Sequence, residues 1–196
     1  MFSVDQLRSS LTHQVTDKPR RGHAAVAMML RGQGSTMQLC FIVRAQRDSD
    51  RWSGQVAFPG GRPDPVDDRL QATAERETRE EVGVTLTAAD RIGALPPVPL
   101  QPPGSGGILA PFVYHLGDRQ PTLEIEPSEV ASAFWSDVGE LFDPARRTTL
   151  DWSGMTFPGI ELGDHVLWGL TLRICDLWVT SLGETLELSW PPMPGH

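Results

Sequence analysis

The chain contains no asparagine and a single lysine, Lys18, against sixteen arginines. A P-loop needs a Gly-Lys-Ser/Thr ending that the sequence nowhere offers, and one lysine near the N-terminus is a poor Schiff-base nucleophile. Cysteine is almost as scarce. Cys40 and Cys175 each sit in an apolar segment, which excludes a disulfide framework or thiolate metal site and predicts two buried free thiols in a reducing compartment. His-Glu-x-x-His and Gly-x-Ser-x-Gly are missing, as is a Gly-x-Gly-x-x-Gly joining a strand to a helix, so zincin, serine-hydrolase and dinucleotide-fold readings fall away. No apolar run reaches membrane-span length, and Met1 to Leu7 has neither the charged nor the apolar region of a secretory signal. The expectation is a soluble cytoplasmic protein with no membrane partner. Positive charge is also short overall: a net charge of −8 argues against a nucleic-acid binder, which needs a basic face to displace counterions. An anionic substrate entering so acidic a protein would need a bridging cation and a few placed arginines.

What the sequence does have is Phe58-Pro59-Gly60-Gly61 followed by Arg76-Glu77-Thr78-Arg79-Glu80-Glu81-Val82-Gly83-Val84. Leu70, Ala74, Thr78 and Val82 recur every four residues and predict the core stripe of a helix, with Asp67 or Asp68 as N-cap and Gly83 as the stop. Glu77, Glu80 and Glu81 then fall at i, i+3 and i+4, within one turn. Three like charges so placed repel, and clustered carboxylate oxygens suit a hard divalent cation that takes its remaining ligands from water and phosphate. A solvated charged face with i,i+4 Arg–Glu pairs is the plainer alternative that spacing alone leaves open.

The ordering of residues around the glycine pair resembles the Nudix hydrolase family, whose box reads Gly-x5-Glu-x7-Arg-Glu-U-x-Glu-Glu-x-Gly-U, with U aliphatic. Arg76, Glu77, Glu80, Glu81, Gly83 and Val84 match; Thr78 replaces an aliphatic, Gly61 to Arg76 is one residue longer, and an aspartate stands in for the early glutamate. That longer spacing with Asp64-Pro65-x-Asp67, and Gly54-Gln55-Val56-Ala57-Phe58-Pro59-Gly60-Gly61 before it, is similar to the coenzyme A pyrophosphatase branch. Its upstream arginine signature is met in part by Arg44 and Arg51. Gly106 to Val113 and His165 to Ile174 resemble a central strand and a terminal helix of that branch.

The resemblance implies an α/β fold, a single Nudix domain over residues 1–196 built as an α/β/α sandwich with a mixed sheet and a catalytic strand-loop-helix. Residues 1–22 would be an N-terminal helix and lead-in, and 182–196 a C-terminal tail. It implies Mg²⁺ or Mn²⁺ held by Glu77, Glu80, Glu81 and the Gly60 carbonyl, with Arg76 orienting the carboxylates. Glu80 is the first choice of general base and Glu129 the second, ahead of Glu124 and Glu126. Arg44, Arg47 and Arg51 are the candidates for reading substrate phosphate. The partner is then a small nucleotide, with a homodimer compatible. Coenzyme A is the first substrate; ADP-ribose or another dinucleotide, and a non-catalytic ligand sensor, are the alternatives.

From pattern, a helix is expected at 4–13, strands at 23–30 and 38–44 around a turn at Gly32 to Ser35, and a short strand running into Phe58 with the glycine pair as its turn. Further strands are expected at 108–116 and 130–135, and a helix at 165–181. The Pro- and Gly-rich stretch from Leu95 to Gly107 reads as a long loop within the domain and a candidate substrate wall.

Overall fold

The computed structural model describes residues 2–12, 18–47, 52–100 and 106–191. Its centre is a mixed sheet. Strand β1 (Ala24–Arg31) runs parallel to β7 (Ile108–His115) over seven residue pairs, and β2 (Gln38–Arg44) runs antiparallel to β8 (Val130–Asp137). On β7's far side lie β5 (Arg91–Ala94) and β6 (Val98–Pro99). Between β1 and β2 the pairing is short, Leu30 with Leu39 and Arg31 with Gln38. Beyond it the strands part, and β3 (Val56–Ala57) pairs with β2 while β4 (Gly60–Gly61) pairs with β1. The glycine pair expected to turn the chain is thus a strand edge in its own right. This splay opens the sheet where the acidic residues gather.

Period-two alternation gives the sheet two dry faces. Val26, Met28, Leu30, Leu39 and Phe41 face one way, against α1 (Val4–Ser10) and α3 (Gly169–Ser181); Ala25, Ala27, Met29, Cys40 and Ile42 face α2 (Leu70–Val82). Both thiols are buried and free. The stripe Leu70, Ala74, Thr78 and Val82 is buried as its spacing requires, and Gly83 ends the helix in the left-handed conformation at φ 71°. The amide of Gly83 closes onto the Arg79 carbonyl at 3.1 Å, the usual glycine stop. At the other end the expectation fails, because the N-cap position is Arg69 and no side chain caps it. Asp68 is spent on Arg69, and Asp67 is drawn inward by stronger partners.

Three further expectations change. Helix α1 is Val4–Ser10, started by a Ser3–Gln6 capping box, and does not reach residue 13. His165 to Trp168 is not helical: it is β11 (His165–Trp168), joined to β9 (Arg147–Trp152) and β10 (Met155–Leu162) in a second, three-stranded antiparallel sheet. Gly169, at φ 62°, turns that strand into α3. Residues 183–191 are no loose tail either, for Leu186 is buried and the Trp190 indole donates to Asp176 of α3 at 2.8 Å while Arg173 lies over its ring; the rest of the expected tail lies outside the described residues. Among the described residues no helix is long and apolar enough to cross a membrane.

Candidate active site

Helix α2 carries two i,i+4 pairs side by side. At about 100° per residue, Arg76 and Glu80 lie ~40° apart on one flank, and Glu77 and Glu81 lie ~40° apart on the next. The first pair closes on itself. The Arg76 guanidinium reaches Glu80 at 2.8 Å, Asp67 at 2.9 and 3.2 Å in a bidentate fork, Glu77 at 2.9 Å and the Arg62 carbonyl at 3.2 Å. Asp67, the residue expected to cap the helix, is therefore Arg76's main counterion, and it also accepts from the Thr73 hydroxyl and the Asp64 amide. Burial alone would raise its pKa, but these hydrogen bonds and the guanidinium hold it below the ordinary aspartate value, while Arg76 is held above the usual arginine range, first by Asp67.

The second pair has the opposite character. Glu81 is 3% exposed and accepts the Gly60 amide at 2.8 Å. Burial pushes its carboxyl up to about 8; Gly60 and Arg44 oppose the rise, and Glu77 and Glu129 add to it. Glu77 is also raised, first by burial, although Arg76 pulls against it. Glu129 enters from the start of β8, so that one oxygen from each of Glu77, Glu81 and Glu129 lies within 4.8 Å of the others. Glu80, expected in this group, stays on Arg76 with its side chain 48% exposed. The helix geometry is the reason: the turn that brings Glu77 and Glu81 together sends Glu80 to the neighbouring flank.

Main-chain bonds set Glu129 in place. The Glu124 and Glu126 amides donate to the Val82 and Glu81 carbonyls at 3.0 and 3.1 Å, occupying acceptors that a helix C-terminus leaves open, and the Ala45 amide donates to the Glu129 carbonyl at 2.8 Å. Glu124 and Glu126 thus serve the loop through their backbones, and the Glu126 carboxylate also accepts the Ser128 amide at 3.2 Å. Arg47 donates to the Ser128 carbonyl at 3.1 Å and reaches the Glu129 carboxylate at 3.5 Å. The glycine pair is fixed by close approach: a Cβ on Gly60 would stand 2.2 Å from the Ala25 carbonyl, and one on Gly61 would stand 2.6 Å from the Glu77 carboxylate.

A cleft of about 590 Å³ opens above these groups. Glu77, Glu81, Glu129, Gly60 and Gly61 line it beside Arg44, Arg47 and Arg62, and its other walls are Leu100, Leu109, Leu170 and Ile174 with Trp52 and Gln55. Arg62, Trp52 and the α3 residues were not singled out in sequence. Arg62 had a usable signal in directly following the glycine pair, whereas α3 comes in from more than a hundred residues away in the chain. Arg51 lies outside the described residues. Three converging carboxylates, two raised by burial, make a donor set for a hard divalent cation: oxygen-only, with excess negative charge and an open side toward the cleft.

A family model for the NUDIX domain matches residues 19–153. The chain belongs to the Nudix family. It is 34% identical over 185 residues to the uncharacterized Nudix hydrolase NudL of Photorhabdus laumondii, covering 89% of this chain and 95% of that one. It is 31% identical over 165 residues to human mitochondrial coenzyme A diphosphatase NUDT8, covering 81% and 69%. An uncharacterized protein of Schizosaccharomyces pombe is 37% identical over 123 residues, which are 59% of this chain and 36% of the longer relative. A MutT/nudix family protein from Enterococcus faecalis superposes with a TM-score of 0.57 at 14% identity, over 83% of this chain and 62% of that one, a likeness of fold. Membership of the family makes this chain a Nudix pyrophosphohydrolase, with a small nucleotide as the class of substrate, and the likeness of fold gives its α/β scaffold.

Proposed function

We propose that this Nudix hydrolase cleaves coenzyme A to 3′,5′-ADP and 4′-phosphopantetheine. The observation that carries the reading is the Glu77–Glu81–Glu129 cluster, its oxygens within 4.8 Å, at the base of a cleft that also presents Arg44, Arg47 and Arg62. Mg²⁺ or Mn²⁺ held by these carboxylates, with the Gly60 carbonyl as a further oxygen donor, would offset phosphate charge and acidify water at the site.

The remaining work falls to the chain's own residues. Glu129, beside Glu77 and Glu81 and steadied by Arg47, is the proposed base that takes the proton of the attacking water; Glu80, engaged by Arg76, is the alternative. Arg76 positions the helix carboxylates through charge-assisted bonds. Arg44 and Arg47, with Arg51 in the same segment, are proposed to meet substrate phosphates, since a guanidinium matches phosphate by its two-pronged fork. Leu100, Leu109, Leu170 and Ile174 offer the pantetheine arm an apolar wall. The human relative's name, a coenzyme A diphosphatase, supports the same substrate. The buried free thiols suit a reducing compartment such as the cytoplasm.

The test is a Mg²⁺ panel of coenzyme A, ADP-ribose, NADH and diadenosine polyphosphates, ranked by kcat/KM. Coenzyme A should lead and yield the two named products. Preference for another compound would reassign the substrate, and absence of turnover on all of them would favour a ligand sensor. Arg44→Ala should cost roughly ten- to a hundredfold on coenzyme A, the equivalent of one charge-assisted contact. Dephospho-coenzyme A, which lacks the 3′-phosphate, should barely respond.

A further inference from the structure

We propose that Trp52 is the platform on which the purine ring of the substrate stacks, and that Trp152 of the second sheet is the residue that positions it. The inference rests on the reading above that a nucleoside diphosphate derivative enters the cleft, and it adds which end of that ligand lies where. Trp52 lines the same cleft as Glu77, Glu81 and Glu129 and is 39% exposed. The part of the indole that water reaches costs hydrophobic free energy, which a second ring stacked on it would recover. This one is held in orientation. Its ring stacks on Trp152 at 6.3 Å and 17°; Trp152 leans on Trp168 at 5.4 Å, and Trp168 meets Phe157 edge-on at 6.1 Å. The ladder thus runs from the cleft mouth into β9, β10 and β11, and an aromatic surface fixed before binding loses little entropy when a second ring lands on it.

The charge around Trp52 selects the ring. An exposed tryptophan also attracts quaternary ammonium groups, but Arg44 and Arg47 line the same cleft, Arg44 joined to Trp52 through the Gln55 main chain, and they favour a phosphate-bearing ligand. Gln55, next along the lining, carries an amide that can both donate to and accept from a ring edge. The Gln55 main-chain amide donates to the Trp52 carbonyl at 3.3 Å, and its carbonyl accepts the Arg44 amide at 3.0 Å. Platform, edge reader and phosphate arginine are therefore set by one short piece of backbone. The ladder's far members, Trp168 and Phe157, lie beyond the span matched by the family model, whereas Trp52 and Trp152 lie within it.

The experiment compares binding of AMP and ribose 5-phosphate by calorimetry in Mg²⁺ buffer, two ligands that share the phosphorylated sugar and differ by the base. Wild type should bind AMP about five- to a hundredfold more tightly, the range for one base on one aromatic side chain. Trp52→Leu should erase that ratio and Trp52→Phe should keep most of it. Trp152→Leu should reduce it in part while leaving ribose 5-phosphate binding unchanged, which a merely structural role would not do. Equal binding of the two ligands by wild type, no AMP binding, or a ratio that survives Trp52→Leu would each overturn the proposal. So would loss of the ratio in Trp52→Phe as well, because the indole would then serve the fold. Hydrolysis has no part in the measurement, so failure of every diphosphate to turn over would sink the proposed function and leave this result standing.

Discussion

The two flanks of α2 share glutamate, differ by one arginine and reach opposite electrostatic ends. On one, Arg76 sits among Asp67, Glu77 and Glu80, and Asp67 is stabilised as an anion. On the other, Glu81 is buried and Glu77 half-buried, with Glu129 brought against them and both helix carboxyls pushed upward. Charge compensated within the protein builds structure. Charge left uncompensated at a cleft is what a cation and a phosphate can answer, and the helix keeps the two apart by a single step around its axis.

The sharpest test of that division compares a carboxylate from each flank. Glu129→Gln should lower kcat about 10²–10⁴-fold, the usual worth of a positioned base, whereas Glu80→Gln should lose less than about tenfold, or ~1.4 kcal/mol. Steady-state rates at saturating Mg²⁺ decide it, and the reverse order would hand the base to Glu80 and break the comparison.

Next in size is the compensated flank. Arg76→Ala strands the buried Asp67 carboxylate, and losing one partner of a buried pair costs about 3–5 kcal/mol. Because Asp67 titrates below its ordinary value in the fold, the stability it contributes is present above about 3.8, the ordinary value, and is lost as pH falls through its folded pKa. Urea melts should accordingly show the variant's deficit at neutral pH and its decline in acid. A deficit independent of pH would mean that Arg76 acts through packing alone.

The smallest effect has the opposite sign. Below about 4.5 Glu81 is protonated in folded and unfolded chains alike; between about 4.5 and 8 the unfolded chain ionises it and the fold resists. Wild type therefore loses stability relative to Glu81→Gln across that window, reaching on the order of a few kcal/mol near pH 8. Thermal melts in EDTA at pH 4.5 and 8 measure it. The variant should be the more stable form at pH 8 while inactive, and equal stability at both values would remove the strain argued for Glu81.

Much of this arrangement could be read from the sequence where periodicity and burial agree. Leu70, Ala74, Thr78 and Val82 declared both the helix and its buried side, and β1, β2 and β7 stood out as apolar runs because both faces of the sheet are covered there. Glu77 and Glu81 followed from helical spacing. Glu129 ranked behind Glu80, though ahead of Glu124 and Glu126, since its position depends on bonds from Ala45, Glu124 and Glu126 that join distant segments. The sheet of β9 to β11 escaped for a different reason: its strands are only partly buried, so their alternation is faint. Its hairpins were nonetheless marked by Ser153-Gly154 and Gly163-Asp164, two-residue turns with Ser153, Gly154 and Gly163 at positive φ, the pattern that tight antiparallel turns require. The strand at His165 to Trp168 was hidden by running directly into α3. Asp67 was misread as a cap because a short acidic residue before a helix serves equally well as counterion to an arginine two turns on.

The long pairings that carry the site also govern how it comes into being. Ala25 meets Ala110 and Cys40 meets Trp135, so the strands flanking the splay cannot form until distant parts of the chain have closed on one another, a loop entropy that slows folding toward the millisecond-to-second range typical of such topologies. Nothing short in sequence can assemble the carboxylate cluster ahead of that step. Amide exchange along β1, β2, β7 and β8 should then follow global unfolding rather than local opening, and during refolding catalytic competence should emerge with the last of the native population, with no partly folded form able to turn over substrate.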